Sequence, residues 1–142
     1  MREYYKPKFF KTEELVDTDT FAAFGERSLM FLDIRVLKLI DAIRIYFNSP
    51  MTINNWHTGG GFKNRGFRNP KSTVGASYSQ HRFGRAIDFD VRGKSAEQVR
   101  QIILKNQHIY PFTEITRMEL GINWVHVDIA MTDQQNIFTF YP

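Results

Sequence analysis

The sequence predicts an α+β fold with N-terminal helices and an antiparallel sheet that is completed late in the chain. Three observations lead to this prediction: a long segment with helical spacing of apolar residues near the start, a strictly alternating segment in the middle, and two strand-like segments around a turn near the end. Helices first and strands later, with one helix between strands, is the order typical of α+β proteins.

Length and composition favour one globular domain. The 142 residues suffice to bury a core without crosslinks, so we expect a single domain over residues 1–142. Apolar residues make up 42% and charged residues 24%, which argues against disorder, and thirteen phenylalanines suggest a core built on aromatic rings rather than aliphatic side chains. Because the chain has no cysteine, a transition metal would be held by histidine and carboxylate.

Charge and hydropathy restrict the partners. A net charge of +4 favours polyanions such as nucleic acid or an acidic cell wall. The basic residues are spread along the chain and form no nucleic-acid-binding motif, so we expect no nucleic-acid partner. No apolar run approaches the roughly 20 residues that span a bilayer, and residues 1–7 lack the apolar part of an export signal. We therefore expect no membrane partner and no export signal in this chain. We also expect a monomer.

Two helices are predicted in the N-terminal part. Thr12, followed by two glutamates, predicts a helix start. The hydroxyl would cap the helix, and the carboxylates would interact favourably with the positive end of the helix dipole. From Ser28 to Phe47 apolar residues recur at three- and four-residue steps with polar residues between them. This spacing predicts the main amphipathic helix, which ends near residues 48–50.

A strand and a long loop come next. Met51 to Asn54 predict a short strand, and the Gly- and Asn-rich stretch from Asn55 to Gly75 has no period at all. A loop of this length in a compact domain usually has a function.

The middle of the chain predicts a strand followed by a helix. The stretch from Arg85 to Val91 alternates between an apolar face and a face that carries Asp88 and Asp90. Gly93 ends this strand. Ser95 with a glutamine three residues later has the pattern of a capping box, which opens the next helix.

The C-terminal part predicts the rest of the sheet. The segments 112–119 and 124–130 flank residues 120–123, which are predicted to form a hairpin turn. The segment 136–141 is predicted to add an edge strand.

Two segments, 79–88 and 119–128, concentrate residue types that bind zinc. His81 and Asp88 converge if a turn at Gly84 folds the histidine back over the start of the strand that carries the aspartate. His126 from a neighbouring strand completes three protein ligands. The fourth tetrahedral position is then open to water, which is the pattern of a catalytic zinc site, although other divalent ions would accept the same ligands.

The same segments carry a resemblance. The pattern S-x-H-x-x-G-x-A-x-D at 79–88, followed by W-x-H-x-D at 124–128, resembles the zinc D-Ala-D-Ala carboxypeptidase family, whose members share a metal site with the hedgehog signalling domain. The order of the N-terminal segments also follows the family, so the resemblance covers nearly the whole chain. It implies a hedgehog/DD-peptidase-like fold with a zinc cleft, Zn²⁺ bound by His81, Asp88 and His126, and cleavage of peptidoglycan peptide stems by a carboxypeptidase or a phage endolysin. A phage-encoded protein that acts on the cell wall would fit this reading.

Residues around the metal receive roles as well. Arg68 resembles the arginine that grips the carboxylate of the substrate, and a guanidinium suits bidentate capture of such a group; Arg65 is a weaker candidate. Ser79 is assigned to the substrate site, where we expect it to support the loop rather than act as a nucleophile. Asp128 is expected to orient the last of the three ligands, and the role of Asp90 stays open.

One position departs from the family. Better-known members place a carboxylate three residues before the last histidine as general base, and this chain has Asn123 there, which cannot accept a proton. In a hairpin with Ile122 and Asn123 at its turn, Glu119 lies opposite His126, with Cβ atoms roughly 4.5–5.5 Å apart. We therefore predict Glu119 as the general base. The alternative is a catalytically inactive zinc-binding structural or wall-binding module of the same fold.

Overall fold

The computed structural model describes residues 4–142, in which helices and short 3₁₀ turns pack around a five-stranded sheet. The α-helices of this part of the chain are α1 Thr18–Phe24, α2 Ile34–Phe47 and α3 Ala96–Lys105. Its strands are β1 Met51–Thr52, β2 Ala86–Val91, β3 Arg117–Glu119, β4 Val125–Asp128 and β5 Phe138–Phe140. The 3₁₀ turns are Thr12–Glu14, Gly25–Phe31, Trp56–Thr58, Gln80–Phe83 and Phe112–Glu114. This mixture of helices and strands is the predicted α+β class.

The sheet has the strand order β1-β2-β4-β3-β5 and is mixed rather than purely antiparallel. The first three neighbouring pairs are antiparallel, whereas β5 runs parallel to β3, so the prediction of an antiparallel sheet is wrong at this edge. The reason is the path of the chain after β4. Asp128 ends β4 beside Arg117, the chain passes that end of β3, and β5 begins with Phe138 on the other side of Arg117.

The N-terminal helices differ from their predicted starts. The first is a single 3₁₀ turn with Lys11 at its N-cap position. The Thr12 hydroxyl does not cap it, because it donates to the Glu26 carboxylate (2.6 Å). The main helix α2 begins at Ile34 and not at Ser28, since the Asp33 carboxylate accepts the N–H of Arg35 and caps the helix there. The apolar spacing extends further upstream because the 3₁₀ turn Gly25–Phe31 also buries a leucine. The predicted end of α2 near residue 48 is confirmed.

The later elements follow the predicted order. Ser95 and Gln98 form the predicted capping box of α3. In the segment 112–119 the first residues form a 3₁₀ turn, and only Arg117–Glu119 pair as a strand. The hairpin has the predicted register, with Glu119 opposite His126, and the edge strand is present as β5.

The core is mainly aliphatic, which corrects the expectation of an aromatic core. Only four of the thirteen phenylalanines are buried, namely Phe10, Phe67, Phe89 and Phe112. The helix α2 and strands β2 and β4 present isoleucine, leucine and valine inward, while many other phenylalanines lie in loops, turns or the edge strand. Within residues 4–142, no helix combines the length and the apolar character that crossing a membrane requires.

Candidate metal centre

The 3₁₀ turn Gln80–Phe83 holds His81 against the sheet. The Ser79 hydroxyl accepts the N–H of His81 at 3.4 Å and caps this turn. The turn ends at Gly84, whose φ is +67° and where a Cβ would overlap the carbonyl of Phe31. Glycine is the residue that tolerates both the left-handed backbone and this close approach. The turn therefore returns His81 to the start of β2, as its spacing predicts.

A row of residues across the sheet supplies the other side chains of the site. Asp88 in β2 pairs with His126 in β4, which pairs with Glu119 in β3. Directly opposed residues project from the same face of a sheet, so the three side chains share a face with one another. His81, Asp88 and His126 are 2%, 4% and 7% exposed, and this face is therefore covered rather than open to solvent.

Three electron-pair donors converge in this covered space. Nε2 of His81 lies 3.1 Å from Oδ1 of Asp88, Nδ1 of His126 lies 2.7 Å from the same oxygen, and the two nitrogens are 3.3 Å apart. Ligands about 2.0–2.1 Å from a tetrahedral zinc ion lie roughly 3.3 Å from one another. The group His81, Asp88 and His126 thus has the spacing of a site that could hold a metal ion.

Each imidazole is oriented by its second nitrogen. Nδ1 of His81 lies 2.8 Å from the carbonyl oxygen of Gly66, which can only accept a hydrogen bond, so Nδ1 carries the proton and Nε2 keeps a lone pair. Nε2 of His126 lies 3.1 Å from Oδ2 of Asp128, and Nδ1 of the same ring lies 2.7 Å from Oδ1 of Asp88. With the proton on Nε2, Nδ1 is the atom that can bind a metal ion. Metal-binding histidines almost always have such a partner on the other nitrogen.

The charges of the site are strongly coupled. Burial alone would raise the pKa of Asp88, but the two histidines outweigh it and hold that pKa below its ordinary value. Burial alone would lower the pKa of His126, while hydrogen bonds to Asp128 and Asp88 raise it to about 9. The site therefore attracts positive charge, which a metal ion or a proton can provide.

Asp128 is held in place by the guanidinium of Arg117. Nε of Arg117 donates to Oδ1 of Asp128 at 2.8 Å, and its Nη2 donates to Oδ2 at 2.8 Å. Burial raises the pKa of Asp128, but the bonds from His126 and Arg117 lower it below its ordinary value. Asp128 thus contacts His126 as expected. Arg117 was not singled out from the sequence, although the same hairpin register that sets Glu119 opposite His126 also sets Arg117 opposite Asp128.

A cleft of about 450 Å³ opens beside Asp88 and is lined by Arg68, Asn123 and Trp124 among others. Nη2 of Arg68 lies 3.5 Å from Oδ2 of Asp88, an oxygen that no histidine contacts within residues 4–142. The Nε of Arg68 donates to the carbonyl of Asn64 at 2.7 Å. Burial lowers the pKa of Arg68, the Asp88 charge raises it, and Arg82 lowers it further. The guanidinium is thus fixed at the boundary between the metal group and the cleft.

Arg65 and Asp90 pair with each other on the cleft wall. Nη1 of Arg65 lies 2.6 Å from Oδ2 of Asp90, and the guanidinium stacks 3.6 Å from the ring centre of Phe62. This contact answers the open question about Asp90, whose partner is an arginine and not a ligand histidine. A pairing between a loop and a strand 25 residues apart had no signal in the sequence.

Glu119 lies opposite His126 in the predicted register and is half-buried. It does not line the cleft. Among residues 4–142 its carboxylate has no hydrogen-bond partner, but its charge acts on Arg68 and Arg117 from nearby. Asn123, which replaces the usual carboxylate, does line the cleft.

Comparison with known proteins gives one match. A family model described as Peptidase M15 matches residues 8–128. The matched segment includes the three residues of the metal group as well as Arg68 and Glu119, and it ends before β5. Searches of curated proteins and of solved structures gave no match.

Proposed function

Because the chain belongs to the peptidase M15 family of zinc D-Ala-D-Ala carboxypeptidase-like enzymes, we propose that it is a zinc peptidase that cleaves the peptide stems of bacterial peptidoglycan. The observation that carries this proposal is the convergence of His81 Nε2, Asp88 Oδ1 and His126 Nδ1 within 3.3 Å of one another. A metal ion among these three atoms would bind all of them at once and would supply the positive charge that the site attracts. Membership of the family indicates a metal-dependent peptidase, and the wall substrate is our extension of it.

Zinc suits this set of donors better than other abundant ions. Two imidazole nitrogens and one carboxylate oxygen form a typical catalytic zinc set, whereas Mg²⁺ and Ca²⁺ prefer oxygen alone. His81, Asp88 and His126 would hold the ion in the zinc cleft of a hedgehog/DD-peptidase-like fold. A bound zinc ion would polarise the scissile carbonyl and lower the pKa of water.

Arg68 binds the substrate in this proposal. Its guanidinium is always charged, presents paired N–H donors and borders the cleft, so it can hold a carboxylate of the stem peptide in two hydrogen bonds. A cleft of about 450 Å³ has the size of a small-ligand site. Ser79 caps the turn that carries His81. Its assignment to the substrate site stays a prediction.

Glu119 moves the proton in the proposed reaction. Its carboxylate accepts a proton from the attacking water as the water oxygen bonds to the carbonyl carbon. It then gives that proton to the leaving amine nitrogen as the C–N bond breaks. The support for this role is its position opposite His126 and a carboxylate that no hydrogen bond occupies within residues 4–142.

Mass spectrometry of purified peptidoglycan and of free stem peptides tests the proposal. New fragments should appear with zinc-loaded protein and disappear with chelator-treated protein. Glu119→Gln should lower kcat by about 10²- to 10⁴-fold with zinc still bound, because it removes the proton acceptor. Glu114→Gln, which alters an exposed glutamate of the neighbouring 3₁₀ turn, is the matched control and should retain activity.

The same experiment separates the proposal from the alternative function. Zinc binding without any cleavage would favour an inactive structural or wall-binding module, with Asn123 in the cleft as the reason. Full activity of Glu119→Gln would reject Glu119 as the general base but would leave the proposal of a zinc peptidase intact. We propose that the protein is a monomeric wall-degrading enzyme encoded by a phage or a bacterium.

A further inference from the structure

Strand β5 lies outside the segment that the family model matches, yet it reaches the metal group. The match ends at residue 128, and β5 comprises Phe138–Phe140. Phe140 pairs in register with Glu119, which extends the row of Asp88 and His126 by one more strand. The pairing is anchored by the N–H of Leu120, which donates to the carbonyl of Phe140 at 2.7 Å. The C-terminal end of the chain is therefore part of the site.

Phe140 touches the ligand His126 directly. The two rings meet edge to face, with centroids 5.9 Å apart and planes at 82°. Edge-to-face contacts of this kind favour one relative orientation of the rings. The hydrogen bond to Asp128 fixes the position of one nitrogen of His126, and the contact with Phe140 restricts rotation of the ring about that bond.

A second contact links Phe140 to the same histidine through Arg117. The Arg117 guanidinium lies 4.9 Å from the centre of the Phe140 ring, which is within cation–π range. Arg117 is also the bidentate partner of Asp128, which contacts His126. The four side chains thus form a closed circuit, in which each one contacts two of the others.

We propose that β5 positions His126 for the metal through Phe140, which therefore acts as a positioning residue. This inference rests on the proposed metal site. The ring of Phe140 holds the imidazole plane and the Arg117 guanidinium, so that Nδ1 of His126 stays directed at Oδ1 of Asp88. Partners that orient metal ligands commonly contribute 10- to 100-fold to metal affinity. A strand outside the matched segment thereby sets the metal affinity of this chain.

Metal affinity and the visible spectrum of the Co²⁺-substituted protein test the inference. We expect Phe140→Ala to weaken Zn²⁺ and Co²⁺ binding about tenfold, measured by competition with a chromophoric chelator, and to change the Co²⁺ bands. Thr139→Ala is the control, because Thr139 lies in the same strand and, as the neighbour of Phe140, projects from the other face of the sheet, whereas Phe138 stacks on Phe140. Phe140→Tyr, which retains the ring, should restore affinity and spectrum.

A double-mutant cycle tests the circuit itself. Arg117→Lys keeps the charge but loses the bidentate contact, and it should also weaken metal binding. Because both residues act through His126, the double variant should lose less affinity than the product of the two single losses. Thermal unfolding of the metal-free variants identifies any that do not fold. Phe140→Leu, which keeps bulk but no ring, replaces Phe140→Ala if that variant is unfolded and should show the same loss.

The outcomes separate this inference from the proposed function. Wild-type affinity and an unchanged Co²⁺ spectrum in Phe140→Ala would overturn the positioning role, while metal binding by the wild type would leave the proposed function intact. Equal losses in Phe140→Ala and Thr139→Ala would also overturn it, because they would reflect the strand as a whole. A wild-type protein that binds neither ion would overturn both.

Discussion

At the scale of single residues, the direction of each lone pair decides what the site can bind. His81 presents Nε2 and His126 presents Nδ1 to the metal group, while the other nitrogen of each ring faces an acceptor outside that group. For His126 that acceptor is two residues away on the same strand, so the motif W-x-H-x-D already indicates it. For His81 it is the backbone carbonyl of Gly66, which no side-chain pattern indicates.

The contact between Asp128 and His126 leads to a prediction about metal affinity. Asp128→Asn removes the charge that holds the N–H of His126 and the bidentate pair with Arg117. We expect zinc affinity to fall by about 10- to 100-fold in chelator competition. Asp133→Asn, at an exposed position nearby in sequence, should bind zinc like the wild type. Unchanged affinity in Asp128→Asn would show that the carboxylate does not orient the ligand.

At the scale of elements, two contacts attach segments of the chain to the rest of the molecule. The turn at Gly84 joins the segment of His81 to β2 and approaches the 3₁₀ turn Gly25–Phe31. The buried carboxylate of Asp41 in α2 accepts hydrogen bonds from Tyr5 and from two backbone N–H groups of the N-terminal segment. Each attachment can be tested separately.

Gly84→Ala should destabilise the protein by more than about 1 kcal/mol, because alanine is strained at positive φ and its Cβ would overlap the Phe31 carbonyl. Urea unfolding of the metal-free protein measures the effect. Gly93→Ala is the matched control, since Gly93 has a φ of +81° but no atom within 4 Å of the added Cβ. If both variants lose the same free energy of unfolding, the close approach at Gly84 carries no cost of its own.

The Tyr5 contact predicts a pH dependence of stability. The hydrogen bond to Asp41, followed by burial, raises the pKa of Tyr5 from an ordinary value near 10 to about 12. A pKa that folding raises contributes stability below the unfolded value, and this contribution is lost as the pH rises from about 10 towards 12. The stability difference between wild type and Tyr5→Phe should therefore be constant up to about pH 9.5 and then shrink. Tyr4→Phe, at a position 76% exposed, is the control and should show no such change. A difference that stays constant through pH 11 would contradict the prediction.

At the scale of the whole molecule, the metal group connects parts of the chain that are far apart in sequence. It joins the turn Gln80–Phe83, strand β2 and strand β4, and the Gly66 carbonyl adds the long loop. A ligand that binds only the folded protein stabilises all of these segments together.

Zinc should therefore stabilise the folded protein as a whole. At a free concentration about 100 times its Kd, zinc should raise the free energy of unfolding by about 2.7 kcal/mol, measured by chemical denaturation with and without chelator. His81→Asn should lose this response, whereas His108→Asn, at an exposed position, should keep it. A zinc effect of equal size in both variants would locate the binding elsewhere.

The sequence by itself determined the features that depend on short separations along the chain. The spacing of apolar residues indicated the C-terminal end of α2, and the capping box indicated α3. The assumption of a turn centred on Ile122 and Asn123 predicted the register in which Glu119 lies opposite His126. The motifs also identified the three residues that the structure brings together, because their order follows a known family. The roles of these residues, the identity of the metal and the extent of the domain stay predictions.

Only the tertiary structure decided the features that join distant segments. The parallel direction of β5, the pairing of Arg65 with Asp90, the orientation of His81 by Gly66 and the contact of Phe140 with His126 belong to this group. The physical reason is that periodicity and capping act over a few residues, whereas these contacts form only where the packing of the whole core brings separate segments together.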